Sequence, residues 1–130
     1  MAKYVEVPRD RIEHELWSAG FTRLDRHGEV VYARQHHYDP SYRVLVYTSV
    51  PEHETVARGR GDDAIRVVGQ QVLGTRPDQT ERVRPVFKGR VYRAGTVEGV
   101  LQRMMQRARE AYAACNCDIR YNMSTRKGAR

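Results

Sequence analysis

The chain has 130 residues, 40% apolar and 30% charged, which describes one globular domain long enough to bury roughly two thirds of its unfolded surface without covalent staples. Its net charge of +7 implies long-range attraction to polyanions: DNA, RNA or an anionic membrane surface. No apolar run approaches the ~18–20 residues that span a bilayer, and Met1 to Asp10 has no apolar core, so the expectation is a cytoplasmic protein with no membrane partner.

Taken in chain order, the first helix is predicted from about Asp10 to Ala19. Asp10 and Glu13 are spaced as a capping pair, Ile12, Leu16 and Ala19 share one face, and Gly20 supplies a left-handed cap over which Phe21 folds back. Phe21 to Arg26 and Glu29 to Gln35 alternate as two strands around a His27-Gly28 turn. The run His36 to Ser41 is a loop, punctuated by Asp39-Pro40. Tyr42 to Val50 is the clearest strand, with Val44, Val46, Thr48 and Val50 on one face and Leu45 and Tyr47 on the other; Tyr47 is expected in the core.

A polar connection, Glu52 to Asp63, leads to a β-branched strand from Ala64 to Leu73 and a loop from Gly74 to Gln79. Glu81 to Phe87 and Lys88 to Arg93 form one bent strand or two short ones, placed at a sheet edge because Pro85 has no N–H to donate. Thr96 caps a last helix with Glu98 at its positive end. Its apolar stripe is Val97, Leu101, Met104, Ala108, Ala111 and Tyr112. The pattern fades after Ala114, which predicts a single domain over 1–114 and a basic, flexible tail over 115–130. The fold class is therefore α+β: a mainly antiparallel sheet of about five strands flanked by an N-terminal and a C-terminal helix, with one sheet face open for a ligand.

All but three of the 23 Lys and Arg residues are Arg. Guanidinium binds phosphate through planar, bidentate contacts and stacks on bases. Strand positions Arg43, Arg66, Arg82, Arg84, Lys88, Arg90 and Arg93 are candidates for a basic stripe, with Arg58 and Arg60 in a glycine-rich loop that could wrap a phosphate chain. Tyr32, Tyr42, Tyr47 and Tyr92 are candidate stacking platforms, with cross-strand packing the competing role.

Metal binding has three weaker candidates. His36 and His37 near Asp39 are adjacent, and neighbours in a strand point to opposite faces. The same objection meets Asp62-Asp63. Cys115 and Cys117 supply two thiolates where a zinc site needs about four ligands. His14 and His53 are expected at the surface. No Gly-rich phosphate loop, Ser nucleophile elbow or paired-cysteine zinc spacing is present. The expectation is a non-enzyme with no cofactor and no metal.

The stretch Gly61-Asp62-Asp63-Ala64-Ile65-Arg66-Val67-Val68, followed by Arg90 to Leu101, resembles small uncharacterised proteins of phages and mobile elements, over Arg43 to Tyr112. Members of that group often end in a cysteine-rich, zinc-ribbon-like segment, so the resemblance implies that the ribbon is lost here, where only Cys115 and Cys117 stand. It implies no catalytic residue. In outline the fold is also similar to single-strand annealing proteins, which form rings and hold DNA in a basic groove.

These readings converge on a small, non-catalytic nucleic-acid-binding protein, with single-stranded DNA preferred and duplex DNA or RNA as further ligands. Homo-oligomers could form through the edge strand near Arg82 to Arg93. The alternatives are a protein–protein adaptor or inhibitor of an acidic host protein, and a metal-dependent nuclease using Asp62, Asp63 or His36.

Overall fold

A computed structural model of the chain describes residues 5–26, 29–48 and 64–128, the side chains of 25, 26, 29 and 124–128 excepted. The first helix, α1 (Arg9–Ser18), starts at Pro8, whose extended backbone (ψ 138°) turns its carbonyl to accept from the N–H groups of Arg11 and Ile12. No side chain caps it. The expected Asp10–Glu13 capping pair does not form, because Glu13 instead faces the sheet, accepting from the Tyr32 hydroxyl at 2.5 Å and from Arg23 at 3.3 Å. The C-terminus follows the sequence: Gly20 adopts φ +88°, its N–H reaches the Trp17 carbonyl, and the Phe21 N–H reaches that of Leu16. This double closure needs a residue that tolerates positive φ.

Five strands follow in a meander: β1 (Thr22–Arg26), β2 (Glu29–Gln35), β3 (Tyr42–Tyr47), β4 (Ile65–Thr75) and β5 (Glu81–Val91). They are antiparallel and lie in the order β1-β2-β3-β4-β5, so each strand pairs with its sequence neighbour. The turn between β1 and β2 and the connection from Ser49 to Asp63 lie outside the described residues. β5 is one edge strand. Gly69 pairs with Phe87 and Gln70 with Pro85, which leaves Val86 as an inserted residue. The bulge and the proline blunt the edge, as an exposed strand requires. Gly74 lies inside β4, and the tight turn is confined to residues 76–80, where Asp78 accepts from the Thr80 N–H and hydroxyl.

The last element, α2 (Val97–Gly128), is capped by Thr96, whose hydroxyl accepts from the Gly99 N–H at 3.0 Å. It does not stop near Ala114. Cys115 and Ile119 continue the spacing of Ala108 and Ala111, and Cys115 is buried against the sheet. The predicted tail is thus helical from residue 115, because the stripe persists through residues too polar on average to advertise it.

Both helices cover one face of the sheet. Tyr32, Tyr42, Val44, Val46, Ile65 and Val67 face them, packed against Ile12, Leu16, Val100, Met104, Ala108 and Ala111. On the other face Val31 and Leu45 are also fully buried, so that face is not open along its whole width; the exposed part is formed by β4 and β5. Among the described residues no helix is long and apolar enough to cross a membrane. Met104 is fully buried at the centre of the helix–sheet core. Met104→Ala is expected to lower stability by about 2–5 kcal/mol in urea unfolding, through lost burial and a cavity.

Candidate functional site

The alternation of β4 and β5 decides the fate of the arginines. Residues directed away from α2 include Arg66, Lys88 and Arg90, all exposed. Arg66 pairs across the strands with Arg90, and Lys88 with Val68 next to it. The Arg66 guanidinium lies 4.6 Å from the centre of the Tyr47 ring. Lys88 and Arg90 have no ion-pair partner among the described residues. Tyr47 is half-buried as the support of Arg66, rather than a core residue.

The other predicted cations are dispersed. Arg43 makes a bidentate contact with Glu81, donating at 2.8 and 3.2 Å, and its side chain is only 11% exposed. Gln70, with its amide oxygen toward Arg43, accepts from Nε at 3.0 Å. Arg84 faces α2 and donates to Asp118. Arg93 donates to the Thr48 carbonyl. Arg82 and Tyr92 are exposed near opposite ends of β5. Arg58 and Arg60 lie outside the described residues, as do His53, Asp62 and Asp63. Three members of the basic stripe therefore share a face, while Arg43, Arg84 and Arg93 are used internally. Of the proposed stacking platforms, Tyr32 and Tyr42 are buried and unavailable. Burial, with the hydrogen bond to Glu13, raises the Tyr32 pKa and keeps its hydroxyl protonated.

A second cluster forms where α2 crosses the start of β3. Tyr42 donates to Asp118 at 2.5 Å and accepts from Asn122 at 2.8 Å and Arg84 at 3.3 Å. Arg84 holds the Asp118 carboxyl below its ordinary range, with the Tyr42 and Asn122 hydrogen bonds acting in the same direction and burial opposing them. Burial first, and the bond to Asp118 second, raise the Tyr42 phenol. His36, 2% exposed, accepts at Nδ1 from the N–H groups of Tyr38 (3.2 Å) and Asp39 (3.4 Å). Its Nε2 must then carry the proton and donate to the Asn116 amide oxygen at 2.5 Å. The ring stacks on Tyr112 at 4.7 Å, and Arg34 lies 4.3 Å from the centre of the Tyr112 ring.

His36 and His37 stack within a loop at 5.3 Å instead of diverging along a strand. Among the described residues no three His, Cys, Asp or Glu side chains converge in a manner that could hold a metal ion. His14 is exposed, as expected. The polar cluster is not legible in the sequence, because Asn116, Asp118 and Asn122 fall where the apolar pattern thins. The available signal was the spacing Ala111, Cys115, Ile119, which extends the helical stripe and carries these three residues toward β3.

Compared with family models, with curated proteins and with solved structures, the chain has no match.

Two outcomes are expected at this cluster. Asp118→Asn removes the charge opposite Arg84, which is 40% exposed and partly screened, so stability at neutral pH falls by about 1 kcal/mol. The lowered Asp118 pKa means that its contribution is present above the ordinary carboxylate pKa and is lost as pH falls through the folded value. Urea titrations at several acidic pH values should therefore show a shallower acid loss in Asp118→Asn than in the wild type. Burial pushes the Cys115 thiol up to about 11, whereas Cys117 is exposed. A thiol reagent at pH 8 should label Cys117 in the folded protein and both cysteines in denaturant.

Proposed function

We propose that the protein binds nucleic acid, single strands in particular, through the β4–β5 face without catalysing a reaction. The observation that supports this reading most is the juxtaposition of Arg66, Lys88 and Arg90 on a face that neither helix covers, with the Tyr47 ring beneath Arg66. A phosphate chain running along the strands meets these cations, and release of its counterions drives association. Guanidinium planes and nearby rings also provide surfaces for unpaired bases. The apolar stripe of α2 is spent on the core, which leaves this helix poorly suited to reading a major groove.

Fluorescence anisotropy with labelled single-stranded DNA, duplex DNA and RNA across a salt series tests the reading. Lys88→Ala with Arg90→Ala should weaken binding to every sequence and reduce the log–log salt slope by about 1.4, since each neutralised single-strand phosphate contributes about 0.7. Arg84→Ala should lower stability and leave the slope unchanged, because Arg84 is held by Asp118. Weak binding to all three ligands at physiological salt would instead favour a protein partner steered by the same charge.

A further inference from the structure

A cavity of about 510 Å³ opens between the loop after β2, the Gln71 end of β4 and the late turns of α2. This size falls within the roughly 300–1,000 Å³ of small-molecule sites. Three carboxamides line it, and each is anchored at one end only. The Gln71 oxygen accepts from Arg84 at 2.9 and 3.3 Å. A guanidinium can only donate, so the orientation is imposed and the Gln71 NH₂ is turned elsewhere. The Asn116 oxygen accepts from His36, whose tautomer is set by two backbone N–H groups, which likewise commits its NH₂. Asn122 donates to Tyr42 and to the Asp118 carboxylate, which commits its oxygen. None of these remaining ends has a hydrogen-bond partner among the described residues. The cavity therefore carries two held donors and one held acceptor.

The rim adds two features. The Tyr38 ring, 79% exposed, stands against His37 with ring centres 3.9 Å apart. Arg120 is exposed on the last turns of α2 and has no ion-pair partner among the described residues.

We propose that this cavity is a pyrimidine-nucleotide site, with Gln71, Asn116 and Asn122 reading the base edge, Tyr38 stacking on the ring and Arg120 meeting the phosphate. The pairing edges of cytosine (donor, acceptor, acceptor) and uracil (acceptor, donor, acceptor) each present two acceptors and one donor, which matches the three amides in number; because the amides are held, the order of their ends suits one of these two bases. The same edge of guanine presents one acceptor and two donors, and that of adenine one of each, so a purine leaves a held amide unmatched. Bases splayed from a strand are recognised through such edges and by stacking on aromatic side chains. Gln71 faces α2 and Arg66 faces away from it, so this site and the cationic face stand or fall separately.

Isothermal titration of the full chain with CMP, UMP, AMP, GMP and cytidine tests the assignment, with oligo-dC and oligo-dA of equal length as the strand arms. One of CMP and UMP, the one whose edge order the held amides match, should bind about tenfold more tightly than AMP and GMP, a margin in the range that one mispaired polar group costs. Cytidine should bind more weakly than CMP. Gln71→Glu keeps an acceptor for Arg84 but replaces the held donor with an acceptor, and it should weaken binding of the preferred pyrimidine nucleotide about tenfold while the melting temperature stays near that of the wild type. Asn116→Asp is the second variant, since it keeps the acceptor for His36. A preference for oligo-dC over oligo-dA that is lost in both variants, without binding of free CMP, would place the base within a strand and support the site. Equal binding of purines and pyrimidines, wild-type affinity in both variants, or no heat from any pyrimidine ligand at millimolar concentration would overturn it. Salt-dependent binding of both oligomers that persists in the two variants would overturn this site and leave the cationic face intact.

Discussion

The close approach of α2 to the centre of the sheet governs the rest of the molecule. A Cβ on Gly69 would lie 3.3 Å from the Ala111 carbonyl oxygen and from the Cys115 sulfur, so the strand at this point offers the helix bare backbone. That contact sets how deeply Met104, Ala108 and Ala111 sink between β3, β4 and β5. It also carries the helix far enough along the sheet to cover the start of β3. Asn116 reaches His36, Asp118 reaches Tyr42 and Arg84, and Asn122 reaches Tyr42 only because the helix remains seated there.

Covering one face so completely divides the arginines. A guanidinium directed toward α2 must find an internal acceptor, and Arg84 finds Asp118 together with the Gln71 amide. Arg43 faces the other way but is folded against Glu81. Arg66, Lys88 and Arg90 lie on the part of the sheet that remains exposed. The same residue type, enriched throughout the chain, thus serves as cross-link at one register position and as surface charge a few residues away. Composition alone overstates the size of the cationic surface.

The polar cluster under α2 has a different character. Each of its groups is constrained by a partner whose donor or acceptor role cannot reverse: a guanidinium, a carboxylate, or an imidazole already accepting from two N–H groups. Such a network fixes amide orientations and rotamers at the same time. Fixed orientation is what a recognition site requires, because little ordering remains to be done when a ligand arrives.

Much of the fold was legible in the sequence because it rests on local rules. The Gly20 closure, the Thr96 cap, the strand alternation and the edge position of Pro85 each follow from the stereochemistry of a few neighbouring residues, and with them the α+β class. The sites followed less well. Whether Arg84 or Lys88 is drawn into a cross-link depends on which sheet face α2 covers, and strand alternation specifies two faces without saying which is inside. The reach of α2 past Ala114 was obscured because, among the described residues there, Cys115 and Ile119 alone join the core and polar residues separate them. What the sequence determined by itself was the set of elements and their amphipathic faces, which are properties of adjacent residues. Which arginines become cross-links, and which amides meet in one cavity, was decided by the seating of α2 on the sheet, since those residues come together only across separations of tens of positions.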